Sequence, residues 1–203
     1  MITINTKISI LWRNKKVKNI ILASNSPRRK ELLTNAGINF EVEASDIDET
    51  FDKEKSIIEN SLMVAKKKGK VVLKQHLDST IISADTIVVF NNKVYGKPAN
   101  LEESYKMIKE LSNNTHEVIT SVCIMDENKI DEFYVKTFVT FKDLTEKEIN
   151  DYVNTKEGMD KAGAYGIQGI GKKLVLKYEG DYENIVGLPI KEVIEHLKNW
   201  QEN

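Results

Sequence analysis

In the segment Ile20-Ile21-Leu22-Ala23-Ser24-Asn25-Ser26-Pro27-Arg28-Arg29, a short apolar run is followed directly by a turn and by helix-forming residues. The apolar run predicts a buried strand, and Pro27 suits the first position of a helix because its φ angle is already near the helical value. We expect this helix to run to about Asn35 and to end before Gly37. A strand that passes into a helix through so short a turn is typical of an α/β fold.

Two of the three arginines of the chain stand side by side in this segment, at Arg28 and Arg29. A guanidinium group binds phosphate through two parallel hydrogen bonds, whereas a lysine ammonium acts as a mobile point charge. The N-terminus of a helix adds N–H groups and a partial positive charge. The two arginines therefore predict an anion site at the start of the helix.

The rest of the chain alternates predicted strands and helices. Strands are expected over residues 20–23, 40–43, 80–83, 87–90, 117–125, 133–141 and 173–178. Helices are expected over residues 27–35, 56–75, 101–111, 145–154 and 189–200. The polar turn at 126–129 separates two β-rich runs and so predicts an antiparallel pair. Together these elements indicate an α/β fold with a mixed sheet.

Composition limits the class of protein. Hydrophobic residues make up 40% of the chain and charged residues 30%, as in a soluble globular protein, and the net charge of −1 does not favour a nucleic-acid binder. The single cysteine, Cys123, excludes an internal disulfide and favours a cytoplasmic location. The three histidines lie far apart, so we expect no histidine metal site. No stretch reaches the roughly 18 apolar residues that span a bilayer, so we expect no membrane partner.

Asp85 places a carboxylate between two apolar, β-rich runs. Burying an ionised carboxylate costs free energy unless a cation or strong hydrogen-bond donors contact it. One interpretation is a structural aspartate that caps a turn or bulge, and the other is a metal ligand or general base. The acidic loop Asp46-Ile47-Asp48-Glu49 supports the second interpretation, because Mg²⁺ and Mn²⁺ prefer carboxylate and water ligands.

Other candidates for nucleotide contacts lie in lysine-rich and glycine-rich segments. Lys68 belongs to a run of three lysines, and Lys97 stands in a loop restricted by Gly96 and Pro98. The glycine-rich stretch 163–169 would let a planar base lie against the backbone, with Gln168 reading the edge of the base. The common phosphate-loop and dinucleotide-binding motifs do not occur in the sequence.

Several of these segments, taken in order, resemble the Maf family of nucleotide pyrophosphatases, also called septum-formation proteins. The matching segments are Leu22–Leu33, Ala65–Lys68, Ala84–Thr86, Gly96–Pro98, Asp160–Gly169 and Val186–Pro189. The similarity extends from about Ile20 to Leu197. One departure is Gly69, where the family usually has alanine, and we expect this glycine to loosen the helix that carries Lys68.

The resemblance implies an elongated mixed sheet flanked by helices, in two lobes with a central cleft, similar to the inosine-triphosphate pyrophosphatases. It also implies hydrolysis of nucleoside triphosphates to the monophosphate and pyrophosphate with a divalent metal cation, Mg²⁺ or Mn²⁺. In the branch that acts on dTTP and UTP, three specificity positions carry arginine, threonine and glutamine. These are Arg28, Thr86 and Gln168 here, so the resemblance favours dTTP and UTP as substrates.

The resemblance further implies a role for each candidate residue. Asp85 would be the catalytic base and, with Glu49, a metal ligand. The substrate-binding residues would be Ser24, Ser26, Arg28, Arg29, Lys68, Lys97, Thr86 and Gln168.

The expected organisation is an N-terminal extension, residues 1–19, followed by a single Maf-like domain, residues 20–203. In the extension the charged residues follow the apolar patch, which is the reverse of a signal peptide, and a transit peptide is the alternative. The sequence does not give the oligomeric state, and a homodimer is one candidate.

Two other functions remain open at this point. A nucleotide-binding regulator of cell division with little turnover would use the same residues, and rapid release of pyrophosphate would separate it from an enzyme concerned with the nucleotide pool and cell-division arrest. The second alternative is DNA binding, in which the Ser-Pro-Arg-Arg segment would contact the minor groove. The net charge of the chain disfavours this function.

Overall fold

A computed structural model describes residues 19–44 and 46–202 of the chain. The expected extension therefore lies outside the described residues, apart from Asn19. The strands are β1 (Ile20–Leu22), β2 (Glu41–Val42), β3 (Thr80–Phe90), β4 (Lys93–Tyr95), β5 (Thr115–Met125), β6 (Ile130–Phe141) and β7 (Val175–Glu179). The helices are α1 (Pro27–Asn35), α2 (Ile57–Leu73), α3 (Leu101–Leu111), α4 (Glu146–Asn154), α5 (Tyr182–Val186) and α6 (Ile190–Glu202). Two 3₁₀ segments, Ala162–Ala164 and Gly169–Leu174, precede β7.

The strands form one mixed sheet in the order β2-β1-β3-β5-β6-β7, with β4 paired to β3. Strand β1 is parallel to both β2 and β3, and Leu22 lies opposite Val42 on one side and Ile82 on the other. Strand β4 is antiparallel to β3, and β7 is antiparallel to β6. The α/β fold with a mixed sheet and flanking helices is confirmed.

The chain divides into two compact units, and the division cuts strands β3, β5 and β6. Of the described residues, the first unit contains residues 19–44, 46–85, 121–133 and 190–202; the second contains residues 86–120 and 134–189. The central cleft and the single-domain organisation stay predictions.

Each unit has its own apolar core. In the first unit, β1, α2 and the adjoining strands contribute Ile21, Ala23, Ala65, Val72, Ile81, Cys123 and Met125. In the second unit, the larger core includes Val88, Tyr95, Ile108, Leu111, Val118, Phe141, Ile149, Tyr165 and Leu174. Within residues 19–44 and 46–202, every helix is too short or too polar to cross a membrane.

Local capping explains where the helices begin. The Ser26 side chain caps α1, and Ser56 and Glu59 form a capping box at the start of α2. Thr145 and Glu148 form a second capping box at α4, as their spacing predicts. These side chains satisfy N–H groups that lack a partner inside the helix.

The structure differs from the sequence-based expectation at three elements. Strand β3 is continuous through residues 84–86 and joins the two β-rich runs, 80–83 and 87–90, that the sequence indicates on either side of Asp85. Strand β4 was not expected, although Asn91 and Asn92 both adopt positive φ angles, as the tight two-residue turn between paired strands requires. Helix α5 was not expected either, because it spans only Tyr182–Val186.

Candidate active site

Hydrogen bonds fix the loop between β1 and α1. The buried Ser24 hydroxyl accepts from the Ser26 N–H and from Arg29 Nη1, both at 3.2 Å. The Ser26 hydroxyl accepts from the Arg29 N–H at 3.4 Å and so caps α1. Pro27 takes the first turn of the helix, where its missing N–H leaves no bond unmade. The loop thereby brings together three of the expected substrate-binding residues: Ser24, Ser26 and Arg29.

The Arg29 guanidinium lies among other charges. Burial lowers the pKa of Arg29, the negative charge of Asp85 raises it, and the positive charge of Arg28 lowers it further. A guanidinium is not deprotonated in proteins, so Arg29 is a cation at this site. Arg28 and Arg29 are both half-buried in the first turn of α1. Their charges add to the partial positive charge of the helix N-terminus, an arrangement that suits an anion.

Asp85 lies in the middle of β3 and is only 6% exposed. Its Oδ1 accepts a hydrogen bond from Lys68 Nζ at 3.0 Å, and its Oδ2 accepts one from the Ser61 hydroxyl at 3.2 Å. Both donors come from helix α2. These bonds offset the cost of burying the carboxylate, so β3 continues through Asp85 instead of breaking there.

Lys68 joins two carboxylates. Its ammonium lies 2.9 Å from Glu49 Oε1 and 3.0 Å from Asp85 Oδ1. The Lys68 and Asp85 side chains are almost buried, whereas Glu49 is about half exposed on the acidic loop. The structure therefore places the two expected metal ligands, Glu49 and Asp85, around one lysine.

The donor set fits a magnesium-type ion. Among residues 19–44 and 46–202, no group of three or more His, Cys, Asp or Glu side chains converges as a metal site. Mg²⁺ is usually held by one or two carboxylates, and water and substrate phosphates complete its shell. Glu49 and Asp85 match that requirement in number and in chemistry.

The remaining candidates, Thr86, Lys97 and Gln168, belong to the second unit. Thr86 follows Asp85 directly in β3, and its hydroxyl lies 3.0 Å from the Thr120 hydroxyl and 3.5 Å from the Gly187 carbonyl oxygen. Lys97 is exposed, and Gln168 is half-buried at the start of the second 3₁₀ segment.

The glycine-rich stretch is tightly folded. The Gly163 N–H donates to the Gly96 carbonyl at 3.1 Å, which joins the loop of Lys97 to the glycine-rich stretch. A Cβ atom at Gly158 would lie 1.9 Å from the Ala164 carbonyl oxygen, so only glycine fits there. The Glu157 carboxylate accepts from the Ile170 and Gly171 N–H groups at 2.9 and 2.8 Å. These contacts fix the backbone on either side of Gln168.

Sequence reasoning missed several residues that hold the site in place. Ser61 lies seven positions before Lys68 and therefore on the same face of α2, a spacing that points to a common partner. Glu157 and Thr120 have no comparable signal, because their partners are distant in the sequence and meet only in the folded chain. A polar residue within the apolar run of β5 was the one hint that Thr120 has a defined partner.

Comparison with known proteins gives one family. A family model described as "Maf-like protein" matches residues 19–200. A dTTP/UTP pyrophosphatase of Bacillus cereus (strain G9842) is 45% identical to this chain, and the match covers 91% of this chain and 96% of the relative. A dTTP/UTP pyrophosphatase of Halalkalibacterium halodurans is 46% identical over 90% of the chain and 96% of the relative. The solved structure of the Staphylococcus aureus Ham1 protein has a TM-score of 0.48 and 14% identity, and the match covers 91% of this chain and 98% of that one.

The family expected from the short segments is confirmed by the family model and by the identity to these relatives. The names of the relatives also agree with the enzyme class that the resemblance implies. The chain belongs to the Maf family.

Proposed function

We propose that this protein hydrolyses nucleoside triphosphates, in particular dTTP and UTP, to the nucleoside monophosphate and pyrophosphate. The observation that carries the proposal is the buried pair of Asp85 and Lys68, in the same unit as the loop of Ser24 to Arg29. A carboxylate for proton transfer and a cationic loop for phosphate are the two requirements of the reaction. The dTTP/UTP pyrophosphatases that the chain resembles support the choice of substrate.

The triphosphate would bind at the start of α1. Ser24 and Ser26 would donate hydrogen bonds to phosphate oxygens, and Arg28 and Arg29 would neutralise the charge. The hydrogen bond from Arg29 to Ser24 holds the guanidinium before substrate arrives, which lowers the cost of ordering it on binding. Lys97 would add a further positive charge from an exposed loop.

Asp85 would act as the general base. A water molecule attacks the α-phosphorus, the bond from the α-phosphorus to the bridging oxygen breaks, and pyrophosphate leaves with the bonding electrons. The proton of the water passes to Asp85. Lys68 and Ser61 hold the two oxygens of this carboxylate, so its orientation is set before the reaction. General-base catalysis of this kind contributes about 10²- to 10⁴-fold.

Asp85 and Glu49 would also hold a Mg²⁺ or Mn²⁺ ion. Such an ion supplies charge neutralisation at the phosphate oxygens and polarises the phosphoryl group. Lys68, bound to both carboxylates, would fix their spacing. Thr86 and Gln168 would read the pyrimidine base, and Arg28 is the third specificity position.

The test is an assay of products with dTTP, UTP, dCTP and ATP in the presence of Mg²⁺. We expect pyrophosphate and the monophosphates of thymidine and uridine as the main products, and a loss of at least about 10²-fold in kcat for Asp85→Asn. Asp78→Asn, an exposed aspartate of the same unit, is the matched control and should retain activity. Orthophosphate and diphosphates as the main products, or full activity in Asp85→Asn, would refute the proposal.

The same variants separate the enzyme from a regulator with little turnover. A role in cell-division arrest that depends on catalysis should disappear in Asp85→Asn cells. A division phenotype that persists in those cells would favour the regulator. The cytoplasmic location and the homodimer stay predictions.

A further inference from the structure

A chain of hydrogen bonds runs from Thr86 into the interior of the second unit. The Thr86 hydroxyl lies 3.0 Å from the Thr120 hydroxyl, and the Thr120 hydroxyl lies 2.9 Å from the main-chain carbonyl oxygen of Asn184. The Thr120 N–H donates to Asn184 Oδ1 at 3.2 Å. Thr120 and Asn184 are both fully buried, so water does not compete for these bonds.

The direction of these bonds follows from the number of protons. A threonine hydroxyl has one proton to donate and two lone pairs that accept. The Asn184 carbonyl can only accept, so Thr120 must donate its single proton to it. In a continuing helix the Leu188 N–H would bond to this carbonyl, but it donates to the Glu183 carbonyl instead, at 3.1 Å. Thr120 therefore donates to the buried Asn184 carbonyl in place of the Leu188 N–H, which a longer α5 would have supplied.

The direction of the Thr120 hydrogen bond also determines the direction of the Thr86 hydrogen bond. Because the proton of Thr120 is committed, the Thr120 oxygen can only accept from Thr86. The single proton of Thr86 then points inward, and its second contact, the Gly187 carbonyl at 3.5 Å, is also an acceptor. Toward any other partner, the Thr86 oxygen is an acceptor.

We propose that Thr120 is a positioning residue that makes Thr86 an obligate hydrogen-bond acceptor and thereby selects bases with an N3–H group. This inference rests on the proposed function, in which Thr86 reads the base. In a nucleotide, uracil and thymine have one ring N–H, at N3, whereas N3 of cytosine is an unprotonated acceptor. With cytosine in the same position, the lone pair of N3 would face a lone pair of the Thr86 hydroxyl oxygen, and no hydrogen bond would form. A site built for a hydrogen bond rejects an analogue that cannot form it, because the polar group is left unpaired.

Asn184 supports this arrangement. Its Nδ2 donates to the Val118 carbonyl at 3.0 Å and to the Thr137 hydroxyl at 2.9 Å, and its Oδ1 accepts from Thr120. The one side chain thus joins α5 to β5 and β6. It fixes the distance between its own carbonyl and the Thr120 hydroxyl, on which the proton direction depends.

The first test compares kcat/KM for UTP and CTP in three variants. Thr120→Val removes the acceptor 3.0 Å from the Thr86 hydroxyl and leaves the longer 3.5 Å contact with the Gly187 carbonyl, so the Thr86 proton is held inward less firmly and can turn toward the base. We expect the UTP/CTP ratio to fall roughly tenfold or more, through loss of UTP turnover and gain of CTP turnover. Thr120→Ser keeps the hydroxyl and should keep the ratio. Thr115→Val is the matched control on the same strand, since Thr115 shares an exposed hydroxyl pair with Thr140 at 2.8 Å, and it should behave as wild type.

The second test uses wild-type protein and does not depend on how well Thr120→Val folds. UTP methylated at N3 lacks the N–H, whereas UTP methylated at C5 keeps it and carries the methyl group of thymine. We expect kcat/KM for the N3-methyl compound to be lower than that for the C5-methyl compound by roughly tenfold or more.

The outcomes separate this inference from the proposed function. If wild type hydrolyses UTP but Thr120→Val keeps the wild-type UTP/CTP ratio, or if the two methylated nucleotides react equally, the role of Thr120 is refuted and the enzyme remains. If wild type releases no pyrophosphate from any nucleotide, the proposed function itself fails.

Discussion

Among single residues, Lys68 links the stability of the first unit to its proposed chemistry. Its ammonium satisfies the buried Asp85 carboxylate, and removing one partner of such a pair leaves an uncompensated charge. We expect Lys68→Met to lower the free energy of unfolding by about 3 kcal/mol, measured by urea denaturation. Lys67→Met, on the exposed side of the same helix, should change it little.

A double variant distinguishes this charge effect from lost packing. Asp85→Asn removes the charge that Lys68 balances, so Lys68→Met should cost much less in that background. If Lys68→Met lowers the free energy of unfolding equally in the wild-type and Asp85→Asn backgrounds, the ion pair does not contribute to stability.

His116 makes the second unit sensitive to acid. The side chain is 1% exposed, its Nε2 lies 2.7 Å from the Tyr165 hydroxyl, and burial lowers its pKa to about 4. The unfolded chain takes up this proton near pH 6.5 and the folded chain only near pH 4, so protonation favours unfolding as the pH falls between these values. We expect His116 to account for a loss of about 3 kcal/mol in unfolding free energy between pH 7 and pH 4.

His116→Phe tests this pH dependence. Phenylalanine has no titrating group but keeps an aromatic ring against Phe141 and Tyr165. The difference in unfolding free energy between wild type and variant should therefore change with pH over this range. A difference that stays constant from pH 7 to pH 4 would mean that His116 does not titrate as its burial implies.

Helix α2 contains a glycine whose role differs from the one expected. The sequence suggests that Gly69 loosens the helix, but an added Cβ atom would lie 2.7 Å from Ser83 Oγ and 2.8 Å from Met125 Cε. Ser83 is held by a hydrogen bond to the Ala65 carbonyl at 2.7 Å and cannot move away without losing it. Gly69 therefore allows α2 to lie close to β3, which brings Lys68 and Asp85 within hydrogen-bond distance.

Gly69→Ala should therefore destabilise the protein by about 1 kcal/mol, although alanine is the better helix former by about the same amount. In a Ser83→Ala background the nearest obstacle is gone and Met125 is flexible, so the same substitution should be neutral or stabilising. Urea denaturation of the four proteins measures both effects. A stabilising Gly69→Ala in the wild-type background would contradict this explanation of the close contact.

The extent of prediction from sequence also differs between elements. Helix α1 and the two capping boxes were predictable because their signals are local: Ser26-Pro27, Ser56 with Glu59, and Thr145 with Glu148. The sequence indicates β-rich runs on either side of Asp85 but not that one strand joins them, because the partners that allow a carboxylate inside β3 come from α2. Such partners depend on tertiary contacts that no local pattern encodes.

For the whole chain, the short segments were enough to identify the family and the mixed α/β fold, both of which are confirmed. The structure adds which of the candidate residues contact one another: Ser24 with Arg29, and Asp85 with Lys68 and, through it, Glu49. It also adds the buried Thr120 and Asn184 behind Thr86, which the sequence did not single out. In such a network the donor or acceptor role of each hydroxyl depends on its neighbours, so these roles are determined only when all the partners are known.

The central proposal is that water attacks the α-phosphorus of a pyrimidine nucleoside triphosphate with Asp85 as the base. The most direct measurement is hydrolysis of UTP in ¹⁸O-labelled water, followed by mass spectrometry of both products. We predict one ¹⁸O atom in uridine monophosphate, unlabelled pyrophosphate, and labelling of uridine monophosphate that is at least about 10²-fold slower in Asp85→Asn. Label in the pyrophosphate, or formation of uridine diphosphate with labelled orthophosphate, would contradict the proposal.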